Sequence, residues 1–131
     1  MNDALSPPTI GVYTPIAIYY EESDSVEYLR EDVACVYRRI DERLTLALDM
    51  HSRLPVGFRL KGFKNFYLRH LRFKYKNDNE DFLSLVSVLE EALSLLGRKI
   101  FDDDQIKVAY ENAFKIAEED RVKLKYFPEV A

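Results

Sequence analysis

The sequence predicts an α+β domain: an antiparallel meander sheet with a C-terminal helical pair packed on one face. Three observations point there. Residues 16–63 carry short alternating segments separated by polar turns, which is the period of half-buried strands. Beyond residue 80 the apolar residues recur every three or four positions, the period of amphipathic helices. The two patterns are segregated along the chain, which separates α+β from interleaved βαβ architectures. With 131 residues, one domain with one core is expected.

The elements follow in order. Residues 1–15 contain Pro7, Pro8, Gly11 and Pro15 and read as a flexible N-terminal arm, with the domain itself over 16–127. "IAIYYEE" (16–22) is β-branched and aromatic. "VEYLRED" (26–32) places Val26, Tyr28 and Arg30 on one side, and "VACVYRRI" (33–40) continues after a kink at Asp32. "LTLALDM" (44–50) sets Leu44, Leu46 and Leu48 against Thr45, Ala47 and Asp49, and "LPVGFRLKGF" (54–63) alternates again. Loops this short predict meander neighbours. One sheet face is apolar and needs a cover.

Strands are expected to run to about residue 76. Within "KGFKNFYLRHLRFKYK" (61–76), Phe63, Phe66, Tyr67 and Leu71 have helical spacing, whereas Leu71, Phe73 and Tyr75 alternate. The stretch therefore reads as a short helix or turn over 63–69 and a strand over 70–76. A helix over about 80–96 begins in the Asn/Asp-rich "NDNED" and stops at Gly97, a natural residue to follow a helix. A second, over about 103–122, opens with Asp102 and Gln105 at capping-box spacing. Its buried stripe is Ile106, Ala109, Tyr110, Ala113, Ile116 and Ala117.

Asp24 and Tyr28, then Arg39, Ile40 and Asp41, then Leu44, Leu46, Asp49 and Arg53, then Val56, Gly57 and Leu60 form a pattern over about residues 19–63. It resembles a family of small prokaryotic antiparallel-sheet domains of unknown function. Pro55 before Val56 and the long helical extension depart from that family. The resemblance implies a fold and no activity.

Charge bears on function class. The chain carries a formal −4, yet Arg59 to Lys76 holds seven Lys or Arg and no Asp or Glu, a +7 island that leaves −11 for the remainder. Lys61, Lys64, Arg69, Arg72, Lys74 and Lys76 are the candidate anion- or partner-binding residues. If 70–76 is a strand, its cations share one face and its aromatics the other, which favours phosphate or carboxylate contact over base stacking. The bland alternative is that the cations fringe an ordinary core. From Phe82 to Leu96, ten of fifteen positions are apolar, a wider arc than one buried face requires. Either this helix is sandwiched within the subunit, or Phe82, Leu85, Val86, Leu89, Leu93 and Leu96 meet a second copy.

Catalytic and metal signals are weak. His51 and His70 have no ligand spacing, and Cys35, the only cysteine, reads as a buried structural residue. Asp102, Asp103 and Asp104 stand where helix caps stand. Glu21, Glu22, Asp24, Glu27, Glu31 and Asp32 read as an acidic solvated edge. No phosphate-cradling glycine loop or nucleophile motif occurs. The sequence therefore points to a small non-enzymatic interaction or regulatory domain, self-associating, with one basic face and an acidic protein as a further candidate partner. The alternative is a nucleic-acid-binding accessory protein, and the third reading an enzyme without a linear motif. No cofactor, no metal and no membrane partner are expected, and a cytoplasmic setting fits a chain with one cysteine and no leader-like start.

Overall fold

The structure is a computed structural model that describes residues 13–71, 83–97 and 103–124. Five strands form one sheet: β1 (Ile18–Tyr20), β2 (Ser25–Leu29), β3 (Cys35–Arg39), β4 (Leu44–Asp49) and β5 (Pro55–Lys61). A short helix α1 (Phe63–Phe66) runs directly into a π-helical turn, Tyr67–Leu71. Then come β6 (Leu83–Ser84), helix α2 (Leu85–Leu96), helix α3 (Asp104–Asp120) and β7 (Lys123–Leu124), with β6 and β7 paired. The α+β class with C-terminal helices is as predicted. The predicted arm lies mostly outside the described residues, as does the cationic part of the predicted strand 70–76. Residues 70 and 71 belong to the π-helical turn, because Leu71 continues the helical spacing of Phe63, Phe66 and Tyr67 into the core.

All pairings in the large sheet are antiparallel, in the order β1-β2-β5-β4-β3. Sequential neighbours pair at β1–β2, β3–β4 and β4–β5. At β2–β3 they do not: β2 lies beside β5, and the chain crosses two strands before β3 begins, a Greek-key connection. Five residues separate the two strands. That is enough to span three inter-strand spacings, about 14 Å, at roughly 3.3 Å per residue. A short loop thus did not oblige its strands to pair. Both ends of the crossing are fixed by backbone bonds, Arg30 N to Val56 O at 2.8 Å and Met50 N to Ala34 O at 2.9 Å.

Aspartates close the turns. Asp41 Oδ1 accepts from the amides of Arg43 (2.8 Å) and Leu44 (2.7 Å). Asp49 Oδ1 accepts from His51 (2.7 Å) and Ser52 (3.0 Å), and Arg53 completes that turn at φ 65°. Such carboxylate-to-amide bonds replace the ladder bonds a reversing chain loses.

One face of the sheet presents Val26, Tyr28, Leu44, Leu46, Val56, Phe58 and Leu60 to the core, all at most 5% exposed. Helix α3 lies against β4 and β5, and α2 packs on α3 and on the π-helical turn. Helix α2 starts at Leu85 and not near 80, because Leu83 and Ser84 pair with Leu124 and Lys123. Ser84 makes no side-chain cap bond; the Leu85 amide instead donates to Val122 O at 3.0 Å. The cap of α3 is Asp103, whose carboxylate accepts from Gln105 and Ile106, and not Asp102, which lies outside the described residues.

Pairing β2 with β5 leaves no room above Gly57. A Cβ there would stand 2.1 Å from the Tyr28 carbonyl oxygen and 2.7 Å from Leu29 Cδ2. The register with β4 also shifts by one residue at this point, between Ala47 and Leu48, as at a β-bulge. Gly57→Ala is therefore expected to lower stability by about 3 kcal/mol, the upper end for overpacking. Urea unfolding followed by circular dichroism measures it; an unchanged midpoint contradicts the close β2–β5 approach.

Candidate interaction face and its anchors

Among the described residues, helices cover one side of the sheet only. Register places Ile18 and Tyr20 of β1, Ser25, Glu27 and Leu29 of β2, and Gly57, Arg59 and Lys61 of β5 on the opposite face. Thr45, Ala47 and Asp49 of β4 and Cys35, Tyr37 and Arg39 of β3 complete it. No described helix packs there. Even so, Thr45 is 5% and Ala47 1% exposed. The cause is a pair of long side chains. Tyr37 and Arg59 sit on either side of β4, and the guanidinium lies 4.9 Å from the centre of the tyrosine ring. Together they roof the small residues between them.

Arg59 is also held from the other side, by Nε donating to Glu27 Oε2 at 2.8 Å. The guanidinium is thus fixed between a carboxylate and a ring face. Around it stand Ile18 at 39%, Tyr20 at 44% and Tyr37 at 47% exposure. Tyr13 donates to the Leu29 carbonyl at 2.7 Å. Burial raises the Tyr13 and Tyr37 phenols above their usual range, and nearby Cys35 and Tyr20 add to both shifts. Cys35 is half-buried on this face and not in the core. Its thiol donates to Val33 O at 3.3 Å, and burial, Asp49 and Glu31 push its pKa up, the opposite of an activated thiolate.

Three further tyrosines anchor the covered side, each through an aspartate. Tyr19 donates to Asp24 Oδ1 at 2.7 Å, Tyr28 to Asp120 Oδ2 at 2.7 Å, and Tyr110 to Asp41 Oδ2 at 2.9 Å. Burial is the leading cause of the raised pKa in all three, with the carboxylate adding to it; Tyr19 reaches about 12. Asp24 also accepts from the Lys64 amide at 2.8 Å, tying the β1–β2 turn to α1. Asp120 is gripped as well by Arg30, whose Nη2 reaches Oδ1 at 2.7 Å and Nε reaches Oδ2 at 3.0 Å. The Arg30 bonds, together with that from Tyr28, hold the Asp120 carboxyl below its usual range. Beside Asp41, Arg43 stacks 4.5 Å over the Phe66 ring, while its buried Nε has no hydrogen-bond partner. The ring face gives that charge one attraction beside the Asp41 carboxylate.

The predicted site residues are distributed as follows. Lys61, Lys64 and Arg69 are exposed, and none forms an ion pair among the described residues. Arg72, Lys74 and Lys76 lie outside the described residues. On α2, Leu85 and Leu89 are at most 1% exposed inside the subunit's own core, so they do not reach a second copy while the fold is intact. Val86, Leu93 and Leu96 are half-buried against that core. Phe82 lies outside the described residues, and the most exposed apolar residue of the helix is Leu95, at 45%. His51 is an exposed turn residue, and His70 tilts against Phe66 with ring centres 5.4 Å apart. No cluster of three or more metal-ligating side chains occurs among the described residues. No helix among them is long and apolar enough to cross a membrane.

Sequence reasoning missed the Tyr37–Arg59–Glu27 group. Its signal was the alternation of β5 and β3, which puts Arg59 and Tyr37 on the polar side. The pairing order that brings Glu27 beside Arg59 could not be read from spacing. Comparison with family models, curated proteins and solved structures gives no match for this chain.

The anchors generate a pH prediction. Asp120 has a lowered pKa in the fold, so its contribution is present above the unfolded value, about 4, and is lost as pH falls through the folded value. Tyr19, Tyr28 and Tyr110 have raised values, so their contribution is complete below about 10 and is lost as pH rises. Stability should fall at both ends. In an alkaline titration of phenolate absorbance, these three of the nine tyrosines should ionise only as the far-ultraviolet dichroism is lost. Asp120→Ala should cost about 2 kcal/mol by stranding the buried Tyr28 hydroxyl and should flatten the acid limb. Phenolate formation by all nine in the folded state contradicts the assignment.

Proposed function

We propose that this chain is a non-enzymatic interaction module that self-associates through the bare face of its sheet. The observation that carries this reading is a sheet that, among the described residues, helices cover on one side only, and whose other side carries Tyr20, Tyr37 and Ile18 around a fixed Arg59–Glu27 pair. Tyrosine and arginine held in place lose little entropy on binding and dominate protein interfaces. The charges on this face are mixed: Arg39, Arg59 and Lys61 against Glu27 and Asp49. Under a two-fold axis, a mixed face complements its own copy, whereas a single-sign face repels it.

Two features weigh against the other readings. The described tyrosine and cysteine pKa shifts run upward, so these groups hold their protons more firmly than a base or nucleophile should. Nucleic acid would need net positive charge, yet Glu27 neutralises Arg59, and Glu21 and Glu22 line the same hollow as Lys61.

Sedimentation equilibrium at tens of micromolar tests the proposal. The wild type should be dimeric. Tyr37→Glu should be monomeric with an unchanged dichroism spectrum. Arg59→Glu should weaken the dimer at least tenfold, and Glu27→Arg combined with it should restore association by reversing the pair. A wild-type monomer at this concentration overturns the proposal. So does a dimer indifferent to Tyr37 and Arg59, which would move the contact to the α2 surface around Leu95. Binding of single-stranded oligonucleotide at this face with a steep salt dependence would establish the nucleic-acid reading instead.

A further inference from the structure

The chain approaches β1 from the bare side of the sheet. Tyr13, the first residue described, donates its hydroxyl to the Leu29 carbonyl at 2.7 Å. Its phenol is close enough to Tyr20 and Cys35, both on the bare face, for each to raise its pKa. β1 and β3 are opposite edges of the sheet. A chain that leaves β1 and brings Tyr13 near Cys35 of β3 has turned inward across that face. Tyr13 therefore fixes where residues 1–12 start.

Those residues read MNDALSPPTIGV, with Asp3 their one charged side chain. The other stretches outside the described residues are more charged: 72–82 holds six Lys, Arg, Asp or Glu side chains, 98–102 three and 125–131 two. All three also adjoin elements of the covered side, as the burial of Leu71, Leu83 and Leu124 shows. Reach is ample. Twelve residues extend to about 40 Å, and four spacings of about 4.8 Å make the sheet roughly 19 Å wide.

The face that Tyr13 enters suits such a segment. Register sets Leu29, Gly57, Ala47 and Tyr37 in one row, with Cys35 beyond it and Glu27, Arg59 and Arg39 in the row on the other side. The end nearest Tyr13 is thus the less charged one. Its one carboxylate, Asp49, is committed to its own turn. Val33 is 37% exposed there, and Tyr37 offers an exposed ring. A proline pair is pre-set in an extended conformation and loses little entropy when it lies on an aromatic ring, as proline-rich ligands do.

We infer that residues 1–12 fold back across the bare face of their own chain, with Pro7 and Pro8 on Tyr37, and that they weaken self-association by covering it. The second part rests on the self-association proposed above. A short tether gives the segment an effective concentration in the millimolar range, so it competes well with a second copy. Each chain must uncover its face before it pairs, and the dimer constant falls by the open fraction once for each copy; a tenfold weakening needs about a third of the chains open.

Two experiments on full-length chains test this. Ile10→p-benzoylphenylalanine, irradiated at submicromolar concentration, should cross-link within its own chain to residues 29–37, as mapped by peptide mass. In sedimentation equilibrium, a chain of equal length with Gly/Ser in place of residues 1–12 should dimerise at least about tenfold more tightly than the wild type. Pro7→Gly with Pro8→Gly should recover most of that gain, with an unchanged dichroism spectrum. Three outcomes overturn the inference: cross-links to the helices or to 121–124; cross-links only between copies, which mark an exchanged segment; or equal dimer constants for the wild type and the Gly/Ser chain. If both are monomeric at tens of micromolar while the intrachain cross-link to 29–37 forms, the segment docks as inferred and it is the self-association that falls.

Discussion

The tertiary structure depends on aspartates that end one element and receive a tyrosine hydroxyl from another. A buried tyrosine brings a large apolar ring into the core, but its hydroxyl must find an acceptor or the burial costs more than it returns. Here the acceptors are carboxylates, which make stronger bonds than neutral oxygens. Asp41 closes the β3–β4 turn and takes Tyr110 from α3. Asp24 shapes the β1–β2 turn, takes Tyr19 and holds the amide of Lys64. Asp120 ends α3 and takes Tyr28 from β2. The last case carries an electrostatic cost. Glu118, Glu119 and Asp120 crowd the negative end of the α3 dipole, and the last turn holds no basic residue. Arg30 provides the missing cation, bonding both Glu119 and Asp120. The sheet therefore does for the helix what a C-terminal lysine does elsewhere.

The same reasoning accounts for the residues in the family-like pattern over 19–63. Asp24, Asp41 and Asp49 are turn closures, Arg53 sits at positive φ, and Gly57 admits a neighbouring carbonyl. Val56, Leu44, Leu46 and Leu60 are core. Of the charged or polar residues named there, those with assigned bonds are explained by folding. What carries binding on this reading lies mostly between them: Tyr37 and Arg59.

Element type was legible because each element keeps one period. Val26 and Tyr28, or Leu44 and Leu46, announce a buried side two residues at a time, and Ile106 to Ala117 announce a helix just as clearly. Three things were not legible. Sequential pairing failed at β2–β3 because a five-residue loop reaches across the sheet as easily as it turns back. The start of α2 was misplaced because Leu83 and Ser84 pair with Lys123 and Leu124, some forty residues away, which local capping residues do not reveal. Alternation set Thr45 and Ala47 opposite the apolar side of β4 without revealing that Tyr37 and Arg59 cover them. Burial on an open sheet face is set by neighbours on adjacent strands, and adjacency was the quantity that alternation could not supply.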